Sequence, residues 1–271
     1  MNRTLRLLGL LPLTVALAGC SDENELTNEQ AWQALQEVVP SSQAENLTAK
    51  AVELSTHFFI GRTPEKAADE LKTFINSQLK CADVRVDGAT LAIEYGVNPG
   101  DCMYGAIPLS GASTITIRKN ETSEVVVDQV WTGLSDGLVQ LDGTATATWN
   151  ANDETRHVVD DVTWTHLATG RIGKGTSDRT QKPIESDFRI DGVRSWTSPR
   201  GTWHLGIDGV RASWAYPLPE SGVYWLDTPF DKSVAMGFDR VGSDGAIQVT
   251  VERDQSQFNF KVPRHGVVSS N

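Results

Sequence analysis

A serine in a glycine-rich pentapeptide is the first residue of this chain whose surroundings suggest catalysis. Residues 133–137 match G-x-S-x-G, in which a serine on a sharp strand-to-helix turn acts as a nucleophile. A strand pattern precedes Ser135, but residues 138–141 form another strand pattern where a helix is required. We therefore interpret 133–137 as a hairpin loop and assign no catalytic residue.

Two other chemistry-bearing patterns lack the sequence that normally accompanies them. S-x-x-K at 77–80 occurs without the S-D-N and K-T-G motifs that complete such a site. The segment 170–176 suggests a phosphate-binding loop, but Gly175 separates Lys174 from Thr176 and no helical pattern follows. We expect 170–176 to be a flexible basic loop, and we predict no cofactor.

Neither the histidines nor the acidic pairs have the spacing of a metal site. The five histidines are scattered, with no H-E-x-x-H motif. Asp160–Asp161 and Asp227–Asp231 could act as acid pairs or bind a cation, although solvated charges near turns look the same in sequence. We predict no metal site, and we favour a binding or structural protein over an enzyme.

Tryptophan is the residue type that points most directly to binding. Seven of the eight tryptophans follow residue 81, in a region rich in β-strand patterns. Such side chains can form a platform for sugars or line an apolar cavity for an acyl chain. The alternative is core and cross-strand packing, which is favoured because several share parity with Leu and Val. The candidate binding aromatics are Trp196, Trp203, Trp214 and Trp225.

The elements that must position these side chains begin with helices. Residues 27–30 have the form of a capping box, and apolar residues at helical spacing follow, so we predict a helix over 28–39 that ends at Pro40. A second helix is predicted over 42–57, and a third over 64–80. Residues 28–80 are therefore the helical segment.

After residue 81 the apolar period changes from helical to two. Asp87-Gly88 separates the first two strand patterns, which is a strong hairpin signal, and one packed and one polar face recur along 81–271. These patterns predict an α+β fold that is predominantly antiparallel β. The helical N-terminal third is followed by a curved β-meander, either a sandwich or an open barrel.

A pentapeptide repeat predicts one long hairpin in this region. Ile-Asp-Gly-Val-Arg occurs at 190–194 and again at 207–211, an offset that fits adjacent strands. We expect an antiparallel hairpin over 188–215 in which Trp196 pairs with Trp203.

This register makes Gly192 face Ile207, and Ile190 face Gly209. The apolar parity changes at Gly209, so we expect a bulge there and predict that Gly209 is the less replaceable glycine.

The N-terminal residues have the form of an export signal. A short basic start precedes an apolar run too short to span a bilayer, and the run ends in Leu-Ala-Gly-Cys at 17–20. This motif resembles the lipobox of bacterial lipoproteins. The resemblance implies that 1–19 is removed, that Cys20 carries a lipid, and that 20–27 is a tether. Ser21 after the cysteine implies the outer membrane. The resemblance does not choose between its periplasmic and its surface face.

Cys81 and Cys102 are the only cysteines outside the export signal. Exported proteins meet an oxidising environment, so we predict a disulfide between them. Buried free thiols are the alternative, and a metal site is less expected because no histidine lies near the pair.

These observations predict a lipid-anchored protein of the cell envelope with a binding or structural role. The alternative is a hydrolase of an envelope polymer. The predicted partners are the membrane, through the lipid on Cys20, and an envelope polymer, lipid or protein. The formal net charge of −11 argues against nucleic acid. A lipid carrier would need a large apolar cavity, and a hydrolase a convergent set of acid, base or nucleophilic groups.

Overall fold

Two N-terminal helices and a 13-stranded antiparallel sheet make up the computed structural model of this protein. It describes residues 25–105, 107–150, 154–184, 187–213, 216, 218–241 and 245–263. Each strand of the large sheet pairs with its neighbours in chain order, apart from a small two-stranded sheet that interrupts the order after the second strand. The prediction of an α+β, mostly antiparallel meander is confirmed. The large sheet is a single open meander and not the two packed sheets of a sandwich.

Helix α1 spans Asn28–Ser55 and helix α2 spans Pro64–Gln78. The strands are β1 Asp83–Asp87, β2 Thr90–Tyr95, β3 Met103–Tyr104, β4 Ile107–Pro108, β5 Ser110–Lys119, β6 Val125–Ser135, β7 Val139–Asn150, β8 Thr155–His166, β9 Arg171–Ile184, β10 Asp187–Ser198, β11 Gly201–Ser213, β12 Ser221–Asp227, β13 Ser233–Val241, β14 Ala246–Arg253 and β15 Ser256–Val262. Strands β3 and β4 form the small sheet.

The first two predicted helices are one continuous helix, so the prediction that Pro40 ends the first was wrong. Proline has no N–H to donate to the carbonyl four residues earlier, which is that of Gln36. In the fold, Arg171 donates to this carbonyl through Nη1, and its Nη2 lies 2.9 Å from the Gln36 side-chain Oε1. A side chain from β9 thus satisfies the group that the proline leaves free.

We expect Arg171→Met to lower the free energy of unfolding by about 1–3 kcal/mol, because a partly buried carbonyl loses its donor. In a Pro40→Ala background the same change should cost less, since the backbone N–H that alanine supplies can donate to the Gln36 carbonyl. Urea unfolding of the four proteins in this double-mutant cycle measures the coupling. Equal costs of Arg171→Met in the two backgrounds would contradict the pairing.

The sheet curves around α1, whose side chains contact strands far apart in the meander. Trp32 packs against Phe260 of β15 with ring centroids 5.5 Å apart, and Ser42 reaches Tyr224 of β12. Every residue from 37 to 50 is buried, including the polar ones. The inner face of the sheet is therefore filled by a helix that is polar yet enclosed.

The repeated pentapeptide lies on the predicted hairpin, β10–β11. Trp196 faces Trp203, with stacked rings whose centroids are 6.0 Å apart, and Gly192 faces Ile207. Both pairings were predicted, and both tryptophans belong to the core.

The register beyond these pairs differs from the prediction. Ile190 faces Val210 and not Gly209, because the ladder shifts between Ile190 and Gly192. A second shift occurs in the pairing of β11 with β12, between Asp208 and Arg211, and Gly209 there has a φ of +59°. The bulge at Gly209 is therefore confirmed, whereas the predicted pairing of Ile190 with Gly209 is wrong.

The predicted flexible basic loop at 170–176 is instead mostly strand, since β9 begins at Arg171. Its glycines have a packing role. A Cβ on Gly173 would lie 2.3 Å from the Trp164 ring, and one on Gly175 would lie 2.6 Å from the Trp196 Cβ. Gly173 thus leaves room for the Trp164 ring, and Gly175 for the backbone of β10 at Ser195 and Trp196.

The predicted disulfide between Cys81 and Cys102 is present. It links the segment just after α2 to the segment that follows the first hairpin, and Cys81 is fully buried. Within the described residues, no helix is both long and apolar enough to cross a membrane.

Candidate binding site on the outer face of the sheet

Buried charged side chains of the sheet surround the middle of α1 and pair with a glutamate of that helix. The Glu45 carboxylate is 2.5 Å from Arg179 Nε and 3.3 Å from Arg194 Nη1, and Arg179 also contacts Asp160. Arg179 Nη2 donates to Thr48 at 3.1 Å. Burial lowers the pKa of Arg179, but the carboxylates of Glu45 and Asp160 raise it by more, so it stays charged. The cluster is closed to solvent and fixes the helix.

Two further glutamates of α1 are paired eight residues to either side of Glu45. Glu37 lies 3.6 Å from Arg200, and Glu53 contacts Arg156, which is itself buried. Arginines of the sheet thus meet α1 near its start, middle and end.

Lys50 is a buried amine on the same helix. Burial lowers its pKa to about 8, against the opposing effect of the Asp136 carboxylate. The side chain borders a cavity of only about 10 Å³ among apolar residues, too small for a ligand. We assign Lys50 no catalytic role.

We expect the free energy of unfolding to rise with pH above about 8 because of Lys50. Its pKa is lower in the folded chain than in the unfolded chain, so the unfolded chain binds more protons between pH 8 and about 10.5. Lys50→Met should stabilise the protein at pH 7 and flatten this rise, measured by urea unfolding between pH 7 and about 9.5. The exposed Lys174→Met is the matched control. A Lys50→Met curve parallel to that of the parent would contradict the assignment.

A groove of about 780 Å³ lies on the outer face of the sheet. We call it the Trp225 groove; it is bounded by 193–195, 204–206, 225–227, 233–235 and 252–254. These segments belong to β10–β14 and the turn after β14, near the end of the sheet where the β10–β11, β12–β13 and β14–β15 turns lie. Its volume lies within the usual range for small-molecule sites.

Trp225 stands in this groove with its side chain 58% exposed, between the buried Tyr224 and Leu226. Its neighbours across the strands are Gly206 and Ala235, whose side chains are too small to cover an indole. The sheet therefore presents an aromatic surface that it does not bury.

Polar groups border Trp225 on the side of the turns. Ser195, His204 and Asp227 lie opposite one another on β10, β11 and β12. Ser195 Oγ is 2.9 Å from His204 Nδ1, and Ser233 donates to Asp227 at 2.5 Å. A catalytic triad would use the other ring nitrogen for the serine and place the carboxylate on Nδ1. These contacts thus form hydrogen-bonding groups beside the aromatic surface and do not assemble a relay.

Carboxylates give the groove a negative charge. Asp227, Glu252 and Asp254 line it, against Arg253, which pairs with Asp254 at 3.5 Å, and Arg194, which pairs with Glu45 in the interior. In the described part of the chain, no three His, Cys, Asp or Glu side chains are close enough together to hold a metal ion.

The structure separates the four candidate tryptophans. Trp196 and Trp203 are fully buried, in agreement with the favoured alternative of core packing and not with a ligand platform, and Trp225 is exposed. Trp214 and the lipidation residue Cys20 lie outside the described residues. The alternation of residues along the strand does not distinguish Trp225 from the other tryptophans. Its small neighbours can be identified only from the register of the strands.

The serine of the G-x-S-x-G segment is confirmed as part of a hairpin. Ser135 is buried, donates to the Val139 carbonyl at 2.7 Å and accepts from Gly137 N at 3.0 Å. Both contacts hold the β6–β7 turn, and they leave the hydroxyl unavailable as a nucleophile.

Among the residues that the structure describes, a small cavity lies on the inner face. Between the end of α1 and strands β6–β8 lies a cavity of about 140 Å³, bordered by Phe58 and Trp149. An acyl-chain carrier needs several times this volume.

Comparison of the chain with protein-family models, curated proteins and solved structures gives no match.

Proposed function

We propose that this chain is a lipid-anchored binding protein of the cell envelope whose Trp225 groove holds a saccharide. The observation that carries the proposal is the exposed Trp225 between Gly206 and Ala235 in a cavity of about 780 Å³. The exposed indole keeps apolar surface in contact with water, which is unfavourable. A ligand with an apolar face would remove this surface from water.

The groups around the indole suit a sugar ring. The apolar C–H face of a pyranose can stack on the Trp225 indole. Its hydroxyls can then donate to the carboxylates of Asp227 and Glu252 or bond to His204. This combination of one aromatic surface and a few polar groups is typical of ligand sites.

Titration of soluble oligosaccharides from envelope polymers, followed by calorimetry, tests this proposal. Trp225→Ala should weaken binding at least about tenfold, which corresponds to about 1.4 kcal/mol. The matched control is Val159→Ala, an exposed outer-face residue four strands away on the same row. Binding that is absent from the parent protein, or unchanged by Trp225→Ala, would contradict the proposal.

The anchoring part of the proposal depends on Cys20. Cys20→Ser should give an unprocessed precursor or a soluble protein, whereas the parent should fractionate with membranes. Mass spectrometry of the membrane fraction should find a lipid on Cys20. A Cys20→Ser protein that is still cleaved before residue 20 and carries a lipid would contradict the anchoring.

A hydrolase of an envelope polymer is the second candidate. Ser195, His204 and Asp227 favour it only as polar groups gathered beside the indole, since their contacts form no serine relay. Release of new reducing ends from the same oligosaccharides, abolished by His204→Ala, would support it. Binding without turnover would favour the binding protein.

A further inference from the structure

The N-terminus of α1 lies at the same end of the sheet as the Trp225 groove. Lys232, in the β12–β13 turn, donates to the Gln30 side chain at 3.0 Å and contacts the backbone carbonyl of Glu25. Arg200, in the β10–β11 turn, pairs with Glu37. The groove residues on β12 and β13 directly adjoin the β12–β13 turn, and those on β11 begin a few residues after the β10–β11 turn.

The sequence limits how far a lipid on Cys20 could be from this end. Cys20 precedes Glu25 by five residues, and an extended chain spans at most about 3.6 Å per residue, or roughly 18 Å. Helix α1 has 28 residues and is therefore about 42 Å long, so its far end is well beyond that reach. A lipid on Cys20 would keep the groove end close to the bilayer.

We infer that the Trp225 groove binds the saccharide headgroup of a lipid in the membrane to which Cys20 anchors the chain. This inference rests on the function proposed above and adds the source of the sugar. A headgroup sugar and the groove would lie within the same layer above the membrane surface, so anchoring would raise their effective concentration.

The charge of the groove further restricts which class of headgroup it could bind. Asp227, Glu252 and Asp254 outnumber Arg253 and Arg194, and Arg194 is paired with Glu45 in the interior, so a phosphate placed beside Trp225 would meet like charges. An uncharged or amine-bearing sugar avoids this repulsion, and its hydroxyls find acceptors.

Flotation of the soluble Cys20→Ser mature chain tests the headgroup. The probes are phosphatidylcholine vesicles alone, with a neutral glycosyl diacylglycerol, or with phosphatidylglycerol. We expect flotation with the glycolipid vesicles only, reduced at least about tenfold in a Trp225→Ala background and unchanged by Val159→Ala. Flotation that ignores the sugar, or that survives Trp225→Ala, would overturn the inference.

The failures of the two proposals are distinguishable. If soluble oligosaccharides bind through Trp225 but glycolipid vesicles do not, the membrane source is wrong and the saccharide site stands. If neither binds, both proposals fail.

A second measurement tests the orientation. The lipoprotein isolated from membranes is labelled with a fluorophore at Gln255→Cys, in the β14–β15 turn beside the groove, or at Glu121→Cys, in the β5–β6 turn at the other end. Energy transfer to acceptor-labelled headgroups should be the stronger from position 255. Equal transfer, or stronger transfer from position 121, would overturn the inference.

Discussion

Replacing Arg179 with methionine is expected to lower the free energy of unfolding by about 3–5 kcal/mol. The change leaves Glu45 and Asp160 without their shared cation in an interior where both side chains are nearly inaccessible to solvent. Chemical unfolding at neutral pH measures the loss. Arg118→Met is the matched control, because the Arg118–Asp128 pair is exposed and should contribute at most about 1 kcal/mol.

The same interior predicts a partial recovery. If Glu45, Asp160, Arg179 and Arg194 are all replaced by apolar residues of similar volume, no buried charge of this cluster remains unpaired. This variant should therefore be more stable than Arg179→Met alone. An Arg179→Met protein within about 1 kcal/mol of the parent would show that the cluster does not hold α1 in place.

The burial of the charge cluster could not be predicted from local sequence patterns. The inward parity of β8 assigns Arg156, Asp160 and Trp164 to the same face, although in the sequence Asp160 has the same appearance as a solvated charge near a turn. Composition favours that interpretation, because an acidic residue is seldom buried without a partner. The partners come from α1 and β9, so no local pattern contains them. Polar residues at inward positions of a strand were the available signal.

The helices and the sheet differ in how well periodicity predicts them. The change of period near residue 81, the hairpins and the pairing of Trp196 with Trp203 follow from local alternation, and these are confirmed. The continuity of α1 through Pro40 depends on Arg171, which lies 135 residues after Gln36 in the chain. Local rules cannot include a donor supplied by the tertiary fold.

The groove illustrates the same limit for function. Gly206 and Ala235 are ordinary residues in the sequence, and their role beside Trp225 depends on the register of three strands. A residue's exposure on a meander is set by its neighbours across the ladder, which lie on other strands and are separated from it in the sequence.

Gly192→Val is expected to cost about 2–5 kcal/mol, from overpacking and from a φ of +151°, and Gly209→Val less, which reverses the ranking expected from the repeat alone. A Cβ on Gly192 would lie 2.4 Å from the Asp178 carbonyl oxygen and 2.6 Å from the Arg179 Cα, and backbone atoms of a neighbouring strand cannot move aside cheaply. A Cβ on Gly209 would meet only the end of the flexible Arg189 side chain, at 3.5 Å. Its cost should be mainly the strain of a left-handed residue, about 1–2 kcal/mol.

Urea unfolding of both variants decides the order, with Gly88→Val as the control for a glycine of positive φ in an open turn, where no atom lies within 4 Å of the added Cβ. If Gly209→Val proved the more costly, backbone conformation would outweigh strand packing at this hairpin. The expected order instead places the critical contact beside Arg179, so that Gly192 and the buried charge cluster depend on the same close approach of β9 and β10.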